Sequence, residues 1–263
     1  MNKFFPNRFQ NKTIVVTGAG QGIGKGVAVR AAQEGAQVAL VDRSEIVYEV
    51  VNEIKALGGE AIGIVADLEV YENFVATFKE VKATFNRIDV LINNVGGTIW
   101  AKPYEHYKVD EIEKEIKRSL FPTLWGCHAV LPYMLEQNSG AIVNISSIAT
   151  RSINRVPYAA AKGGVNAITA SLAFENATKN IRVNGIATGG TEAPPRIIPR
   201  NPNEQSENEK NWYQQIIDQT VDSTLMKRYG TIEEQVGAIL FLASDEASYI
   251  TGITLPVSGG DLG

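Results

Sequence analysis

Short apolar, β-branched runs alternate with longer helical patterns along almost the whole chain, and this alternation restricts the fold more than any other feature. Strand following helix following strand requires crossover connections, which place parallel strands side by side and helices on both faces of the sheet. The predicted strands are Thr13–Val16, Gln37–Val41, Ala61–Ala66, Val90–Ile92, Ala141–Ile145, Arg182–Ile186 and Ile253–Pro256. The predicted helices are Gly22–Glu34, Ser44–Leu57, Val70–Phe85, Val109–Leu135, Tyr158–Thr178 and Thr231–Ala243. The pattern therefore predicts an α/β fold with a doubly wound parallel sheet of about seven strands.

Composition and charge exclude several classes of function. The chain has 263 residues and a net charge of −4, and it contains no basic block, so we expect no nucleic-acid partner. No apolar run reaches ~18 residues, and the first residues lack the apolar core of a signal peptide, so we expect no membrane association and a cytoplasmic location. Cys127 is the single cysteine, predicted to be a core thiol, and neither His106 nor His128 lies in a metal-binding pattern. We therefore expect no disulfide and no metal.

The first predicted strand runs directly into a glycine-rich turn, TGAGQGIG, from Thr17 to Gly24. Glycines allow positive φ and close approach of the backbone to a ligand, and the following helix offers free N–H groups to a pyrophosphate. The spacing G-x-x-x-G-x-G differs from the common dinucleotide fingerprint, so by itself it also fits a turn without a ligand. Similar turns, Asp67-Leu68 and the stretch from Asn93 to Gly97, follow the third and fourth predicted strands. All would meet at the sheet edge where ligands of open α/β sheets bind.

Asp42 ends the second predicted strand, 42 − 24 = 18 residues after Gly24. A carboxylate at about this spacing binds a ribose 2′-hydroxyl and repels a 2′-phosphate. The sequence therefore favours NAD over NADP. Two alternatives stay open: the neighbouring Arg43 can accommodate the phosphate, and Asp42 can simply cap the next helix.

Tyr158 and Lys162 lie four residues apart in a predicted helix and therefore share one face. A nearby cation favours the ionised form of a phenol, and a phenolate can take a proton from an alcohol. Upstream, a β-rich run ends at Ser146-Ser147, which can bring a hydroxyl to the same place. Considered alone, the pair also fits a solvated polar surface.

In order along the chain, TGAGQGIG, NNVGG, NISS, YAAAK and ITGITLPVSGG resemble the short-chain dehydrogenase/reductase family over nearly the whole sequence. The resemblance implies a single Rossmann-like domain over residues 1–263, a nicotinamide cofactor and a serine–tyrosine–lysine centre. Tyr158 would be the acid/base, Lys162 would bind the nicotinamide ribose, and Ser147, with Ser146 as the alternative, would bind the reacting oxygen. The implied cofactor-binding residues are Gly18, Gln21, Gly22, Ile23, Gly24, Asp42, Arg43, Asp67, Leu68, Asn94, Gly96, Tyr158, Lys162, Gly189 and Thr191.

The chain departs from the family pattern at three places. Ser119 aligns with an asparagine whose main-chain carbonyl holds a water of the proton relay, and we include Ser119 among the catalytic residues because its carbonyl can do the same. Pro122 cannot donate to the carbonyl of Arg118, so we hypothesise that it keeps a carbonyl free for that water. Thr188-Gly189 replaces the usual Pro-Gly, and Ala193 replaces a threonine, which leaves Thr191 to contact the carboxamide through its backbone.

Longer stretches, RSLFPTLWGCHAVLPYM and ATGGTEAPPRIIPRN, are similar to one branch of this family, the cis-diol dehydrogenases of benzoate degradation. That similarity implies a small-molecule carboxylate diol as substrate and a homo-oligomer, a dimer or a tetramer. Two other functions stay open: a dehydrogenase for another cyclic alcohol, a sugar or an acyl thioester, and a non-catalytic NAD(P)-sensing protein. The intact Ser147, Tyr158 and Lys162 argue against a sensor.

A carboxylate substrate needs a cation, and arginine binds carboxylates with two parallel hydrogen bonds. Arg196 is the leading candidate, Arg151 is included with it, and Arg155 and Arg200 are alternatives; each can also be a plain surface charge. Trp100 is predicted to form an apolar wall for the substrate ring, although core packing is an equal alternative. Residues 192–211 are rich in proline and polar groups, and we interpret residues 190–225 as a substrate lid rather than a surface insertion.

Overall fold

A seven-stranded sheet runs through the computed structural model, which describes residues 5–263. Its strands are β1 (Thr13–Thr17), β2 (Gln37–Asp42), β3 (Glu60–Val65), β4 (Val90–Asn93), β5 (Gly140–Ser147), β6 (Ile181–Thr188) and β7 (Thr254–Val257). The α-helices are α1 (Gly22–Gln33), α2 (Val47–Ala56), α3 (Tyr71–Phe85), α4 (Val109–Gln137), α5 (Val156–Asn176), α6 (Glu207–Ser223) and α7 (Ile232–Ala243). The strand order is β3-β2-β1-β4-β5-β6-β7, and all neighbouring strands are parallel. The predicted fold class is therefore confirmed.

Helices cover both faces of the sheet, and the period of two along each strand decides which side chain meets which layer. In β1, Ile14 and Val16 belong to the core beneath α1, α2 and α7, whereas Val15 belongs to the core beneath α3, α4 and α5. Because strands buried on both faces cannot expose a polar side, they read as continuous β-branched runs.

The order of the strands reverses between β1 and β4, which are neighbours although two strands separate them in sequence. The chain after β1 therefore leaves on one face of the sheet and the chain after β4 on the other. Such a point opens a crevice at the carboxyl ends of the strands, where open α/β sheets bind their ligands. This crevice positions the site described below.

The prediction lacks α6, which begins at Glu207 inside the segment expected to be irregular. This helix carries Trp212, Tyr213, Ile216, Ile217 and Val221 at helical spacing, but it follows a long polar, proline-rich stretch, and only Ile216 and Thr220 are buried along it. A second missed signal was its start: Ser206 and Glu209 form a capping box in which each side chain accepts from the other's backbone N–H. Elsewhere the predicted elements exist, with ends displaced by up to three residues; β5 and β6, for instance, continue to Ser147 and Thr188.

Within residues 5–263, no helix combines the length and apolar character needed to cross a membrane. In the same range, no group of three or more His, Cys, Asp or Glu side chains is arranged to hold a metal ion. Cys127 is buried between the side chains of Asn93 and Asn144, and burial raises the pKa of its thiol to about 12. A thiol in that state is protonated at neutral pH and is not a nucleophile.

Candidate active site

The turn after β1 has the backbone that its glycines predicted. Gly18 and Gly22 have φ of 63° and 62°, in the left-handed region that favours glycine. A Cβ at Gly24 would lie 2.6 Å from Nδ2 of Asn94, so a side chain there has no room. The Asn94 amide donates to the carbonyls of Thr17 and Gly18, which ties the end of β4 to this turn. The Asn94 side chain thus holds the glycine-rich turn in this conformation.

A cavity of about 480 Å³ opens beside this turn at the carboxyl edge of the sheet. Eleven of the residues expected to bind the cofactor line it: Gly18, Gln21, Gly22, Ile23, Asp42, Arg43, Asp67, Leu68, Asn94, Gly96 and Thr191. Gly24 and Gly189 lie behind the lining, and Gly189 packs against Ser258 where a Cβ would clash. The cavity extends from the carboxylate of Asp42 to the turn after β4, where Lys162 is found.

Asp42 holds its carboxylate in a fixed position at one end of the cavity. One oxygen accepts from the backbone N–H of Gly20 at 3.0 Å, and the other accepts from that of Ser44 at 3.1 Å. Arg43 is exposed, and its Nη2 donates to the carbonyl of Pro199 at 3.5 Å. The cavity therefore has an anion fixed within its wall and a cation on its rim.

The two candidate serines at the end of β5 have different partners. Ser146 donates to Oδ1 of Asn166 at 2.5 Å and is buried, so its hydroxyl is committed to α5. Ser147 accepts from the N–H of Ala149 at 3.1 Å and makes only a long contact, 3.4 Å, with the carbonyl of Thr188. Of the two, Ser147 has the hydroxyl that is easier to redirect toward a bound molecule.

Tyr158 and Lys162 lie on one face of α5, as their spacing predicts. Tyr158 is 8% exposed, and within residues 5–263 its hydroxyl makes no hydrogen bond to protein. Nζ of Lys162 lies 5.8 Å from the centroid of the Tyr158 ring and donates to the carbonyl of Ile145 at 2.6 Å. The phenol oxygen is thus left available to a ligand beside a buried amine.

Burial strongly perturbs Lys162. Its side chain is almost completely enclosed, and the loss of hydration, together with the charge of Arg200, lowers the pKa of the amine to about 7. The amine is therefore balanced between its charged and neutral forms near neutral pH. A proton-transfer centre needs a group of this kind.

Ser119 on α4 lies next to the same amine, across the turn after β4. A Cβ at Gly96 would lie 3.2 Å from Nζ of Lys162 and 3.5 Å from Cα of Ser119. The Ser119 hydroxyl accepts from the N–H of Gly97 at 3.3 Å. Helix α4 continues through Pro122, and the role of Pro122 in freeing a carbonyl stays a prediction. Gly96 therefore lies between Lys162 of α5 and Ser119 of α4, with little room for a side chain.

The segment predicted to be a substrate lid contacts the glycine-rich turn through one side chain. The amide of Gln21 donates to the carbonyl of Ile198 at 3.3 Å and accepts from the N–H of Ile197 at 3.0 Å. Arg196 lines the cavity near Asp42 and Arg43, and its Nε donates to the carbonyl of Ile198. Residues 196–198 therefore lie at the cofactor end of the crevice, and their role as part of a substrate lid stays a prediction.

The other predicted substrate residues lie elsewhere. Arg151 is exposed and lies outside the cavity lining. Trp100 is held by backbone hydrogen bonds: its carbonyl accepts from the Tyr107 hydroxyl, and its N–H donates to the Glu115 carboxylate. Arg200, in contrast, places its guanidinium directly against Gly97, and its Nε is buried there without a hydrogen-bond partner.

Glu115 is a site residue that the sequence analysis missed. Its buried carboxylate accepts from the N–H groups of Ile99 and Trp100, which fixes the loop after β4. Burial raises the pKa of this carboxyl to about 7, against the opposing effect of those N–H groups and of the Arg200 charge. Its position four residues before Ser119 was the available signal, because residues at that spacing share a helix face.

Comparisons with known proteins agree with this geometry. A sequence profile of the short chain dehydrogenase family matches residues 12–204. The chain is 62% identical over 263 residues to the 1,6-dihydroxycyclohexa-2,4-diene-1-carboxylate dehydrogenase of Pseudomonas putida, covering 100% of this chain and 96% of the relative. It is 59% identical over 256 residues to the protein of the same name from Acinetobacter baylyi, covering 97% of this chain and 98% of the relative.

Solved structures show the same relationship at lower identity. An NAD⁺-bound xylitol dehydrogenase is 30% identical, with a TM-score of 0.85 and coverage of 96% of this chain and 99% of that one. A 7α-hydroxysteroid dehydrogenase complexed with NADH and a 7-oxo bile acid is 29% identical, with a TM-score of 0.84 and coverage of 97% and 96%. The chain therefore belongs to the short chain dehydrogenase family.

Proposed function

We propose that this enzyme oxidises 1,6-dihydroxycyclohexa-2,4-diene-1-carboxylate with NAD and yields catechol and CO₂, a step in benzoate degradation. The identity of 59–62% over the full chain to dehydrogenases of that name supports the substrate. The observation that carries the chemistry is the unbonded phenol of Tyr158 beside the buried amine of Lys162. An alcohol oxidation needs a proton acceptor at this place.

The cavity fits a dinucleotide. Its floor is the glycine-rich turn, which has no room for a side chain at Gly24, and the N–H groups of the first turn of α1 have no side-chain cap. When bound, the nicotinamide cofactor accepts hydride from the substrate carbon. Gly18, Gly22 and the start of α1 would hold its phosphates, and Lys162 would hold the ribose near Gly96.

The preference for NAD follows from Asp42. Its carboxylate is fixed by two backbone N–H groups in the wall of the cavity. A 2′-phosphate placed there would meet a negative charge that cannot turn away, whereas a 2′-hydroxyl can donate to it. Arg43 is exposed and directed to the lid backbone, so it does not cancel that repulsion.

We expect Asp42→Asn to weaken the preference for NAD. The amide keeps an acceptor for one backbone N–H but removes the negative charge, so the ratio of kcat/KM for NADP to that for NAD should rise about tenfold or more. Steady-state kinetics with both cofactors at fixed diol concentration measure the ratio. An unchanged ratio would mean that other residues decide between the two cofactors.

The proton chemistry belongs to Tyr158. The carbon that carries the carboxylate has no hydrogen, so only the adjacent secondary alcohol can be oxidised. The Tyr158 phenolate takes the hydroxyl proton while hydride leaves the carbon, and the Ser147 hydroxyl donates to the same oxygen. The charged amine of Lys162 supports the phenolate before the transfer.

The product of this oxidation is a β-keto acid. Cleavage of the bond to the carboxylate carbon releases CO₂ and moves the electron pair toward the ketone oxygen, which gains a proton. The ring that remains is catechol. Aromatisation drives this step, so no separate residue for decarboxylation is required, and the sequence is effectively irreversible.

Purified protein mixed with NAD and the acid diol tests the proposal. We expect NADH, measured by absorbance, and catechol, measured by chromatography, in equal amounts. Formation of NADH only with other cyclic alcohols, sugars or acyl thioesters would assign a different substrate. Cofactor binding without turnover across such a panel would indicate a sensor.

The proposal includes a cytoplasmic enzyme that forms homo-oligomers, either dimers or tetramers. Phe174 on α5 is 92% exposed, and small residues at Gly163, Ala167 and Ala170 precede it on the helix. A smooth helix surface with one large apolar side chain suits close packing against a second copy. We expect light scattering to give a multiple of 28.6 kDa, and Phe174→Glu to reduce it. A monomer in the parent would contradict this part of the proposal.

A further inference from the structure

Arg155 is a partly buried cation that has no acidic partner among residues 5–263. It immediately precedes α5 and lies three residues before Tyr158. Its Nε donates to the hydroxyl of Ser152 at 2.8 Å, the single hydrogen bond of its guanidinium. Among residues 5–263, no carboxylate lies within ion-pair distance of it. The two terminal nitrogens of the guanidinium are therefore unused.

Tyrosines are the titratable neighbours of this arginine. The groups whose charges act on it are the phenols of Tyr158, Tyr229, Tyr213 and Tyr107, and burial lowers the pKa of Arg155. Buried charges in folded proteins are normally paired, because an unpaired one loses hydration without compensation. The guanidinium of Arg155 therefore lies against the Tyr158 ring without an anion among the described residues.

The position of Arg155 relative to the reaction is fixed by Tyr158. The guanidinium carbon lies 5.9 Å from the centroid of the Tyr158 ring, and Nζ of Lys162 lies 5.8 Å from the same centroid. Arg155 precedes Tyr158 in the chain, just before α5 begins, and Lys162 follows Tyr158 one helical turn later. Lys162 lies at the cofactor end beside Gly96, so Arg155 is the cation of this pair that is left for the substrate.

We propose that Arg155 binds the substrate carboxylate through its two free terminal nitrogens. This inference rests on the proposed function. In the acid diol, the carboxylate carbon is two carbon–carbon bonds from the carbon that loses hydride. A group that binds this carboxylate must therefore lie beside the residue that takes the proton, as Arg155 does.

The other arginines fit this role less well. Arg196 lies at the cofactor end near Asp42, and Arg151 is exposed, whereas Arg155 is partly buried over the Tyr158 ring. Arg200 lies against Gly97, where its charge acts on both Glu115 and Lys162, so an acidic group is nearby although its Nε makes no hydrogen bond within residues 5–263. Only Arg155 combines contact with the Tyr158 ring and the absence of an acid.

The proposal has a consequence for specificity. A diol of the same ring without a carboxylate would cover the guanidinium of Arg155 and leave it unpaired in the complex. Sites with such a charged group discriminate strongly against ligands that lack its partner. Arg155 would therefore make the enzyme selective for the acid diol and would orient the ring so that the secondary alcohol meets Tyr158.

The test compares two substrates, the acid diol and cis-1,2-dihydroxycyclohexa-3,5-diene, which has the same ring and no carboxylate. We expect Arg155→Met to lower kcat/KM for the acid diol by about 100-fold or more relative to the neutral diol. Arg155→Lys should lose less than Arg155→Met, because lysine keeps the positive charge but cannot form the two parallel hydrogen bonds of a guanidinium. The control Lys114→Met removes an exposed cation from α4 and should leave the ratio unchanged.

A binding measurement separates this inference from the proposed function. Calorimetry gives the Kd of 2-hydroxybenzoate, an unreactive carboxylate, for the enzyme saturated with NADH, and Arg155→Met should raise this Kd about 100-fold. If the parent fails to oxidise the acid diol, the proposed function is wrong, and the calorimetry still decides the role of Arg155. If Arg155→Met leaves both the substrate ratio and this Kd unchanged, or if Arg200→Met or Arg196→Met alone removes the preference, the inference is overturned. Should Arg155→Met not fold, the same readouts on Arg155→Lys decide it.

Discussion

Replacing Tyr158 with phenylalanine will lower kcat for the diol by a factor of about 10²–10⁴, the usual contribution of a positioned general base. The reason is that the phenol oxygen is the proposed proton acceptor and no backbone or side-chain group substitutes for it. Within residues 5–263 this hydroxyl makes no hydrogen bond to protein, so its removal breaks no contact of the fold. Steady-state formation of NADH measures kcat, and fluorescence titration measures cofactor affinity, which should change only a few-fold.

Tyr71 gives a matched control for this substitution. It is also a tyrosine on a helix, but its hydroxyl bonds Nδ1 of His128 at 2.9 Å on the surface of α3 and α4. Tyr71→Phe should therefore have the kcat of the parent. If Tyr158→Phe is as fast as the parent too, the proton leaves the alcohol by another path and the proposed mechanism is wrong.

The architecture could be predicted from the sequence because its determinants are local and repeated. Strands buried on both faces have continuous apolar runs, and helices that cover them have an apolar stripe, so β1 to β7 and six of the helices are visible as patterns. Helix α6 has a shorter stripe, Trp212 to Val221, inside an otherwise polar segment that the prolines and asparagines before it make look irregular. Its capping box was a second local signal.

The candidate site was predictable where a motif sets both residue type and spacing. The glycine turn, Asp42 and the pair Tyr158 and Lys162 follow this rule, because their positions depend on one strand end or one helix face. The choice between Ser146 and Ser147 depends on which hydroxyl α5 engages, and that contact crosses two elements. The same holds for the arginines: whether Arg155 or Arg196 lacks an acidic neighbour depends on tertiary packing.

Replacing Lys162 with methionine will abolish most of the activity, because it removes the charge that supports the Tyr158 phenolate. The two residues act as one unit, so their effects will not add. We expect the double variant with Tyr158→Phe to be about as slow as Tyr158→Phe alone. A double variant slower by the product of the two single effects would show that the amine acts independently of the phenol.

The same substitution will stabilise the cofactor-free enzyme increasingly as the pH falls from about 10 to 7. In the folded protein the pKa of Lys162 is lowered to about 7, whereas the unfolded chain keeps the ordinary value of 10.5. The unfolded state therefore binds the proton first, and the cost to folding grows as pH falls through this interval and is constant below it. By the conversion of 1.36 kcal/mol for each tenfold change in proton affinity, the cost is a few kcal/mol.

The methionine side chain does not titrate, so the Lys162→Met variant lacks this pH-dependent destabilisation. It also loses the hydrogen bond to the carbonyl of Ile145, at about 1 kcal/mol, but this loss does not depend on pH. Denaturant unfolding at pH 9 and pH 7 separates the two effects, since only the first changes the difference in free energy of unfolding between variant and parent. Lys114→Met, an exposed lysine whose pKa is raised by Asp110, should show no such gain on acidification. A difference for Lys162→Met that stays flat between these pH values would mean that the buried amine keeps its proton in the folded protein, and that Lys162 is fully charged before any cofactor binds.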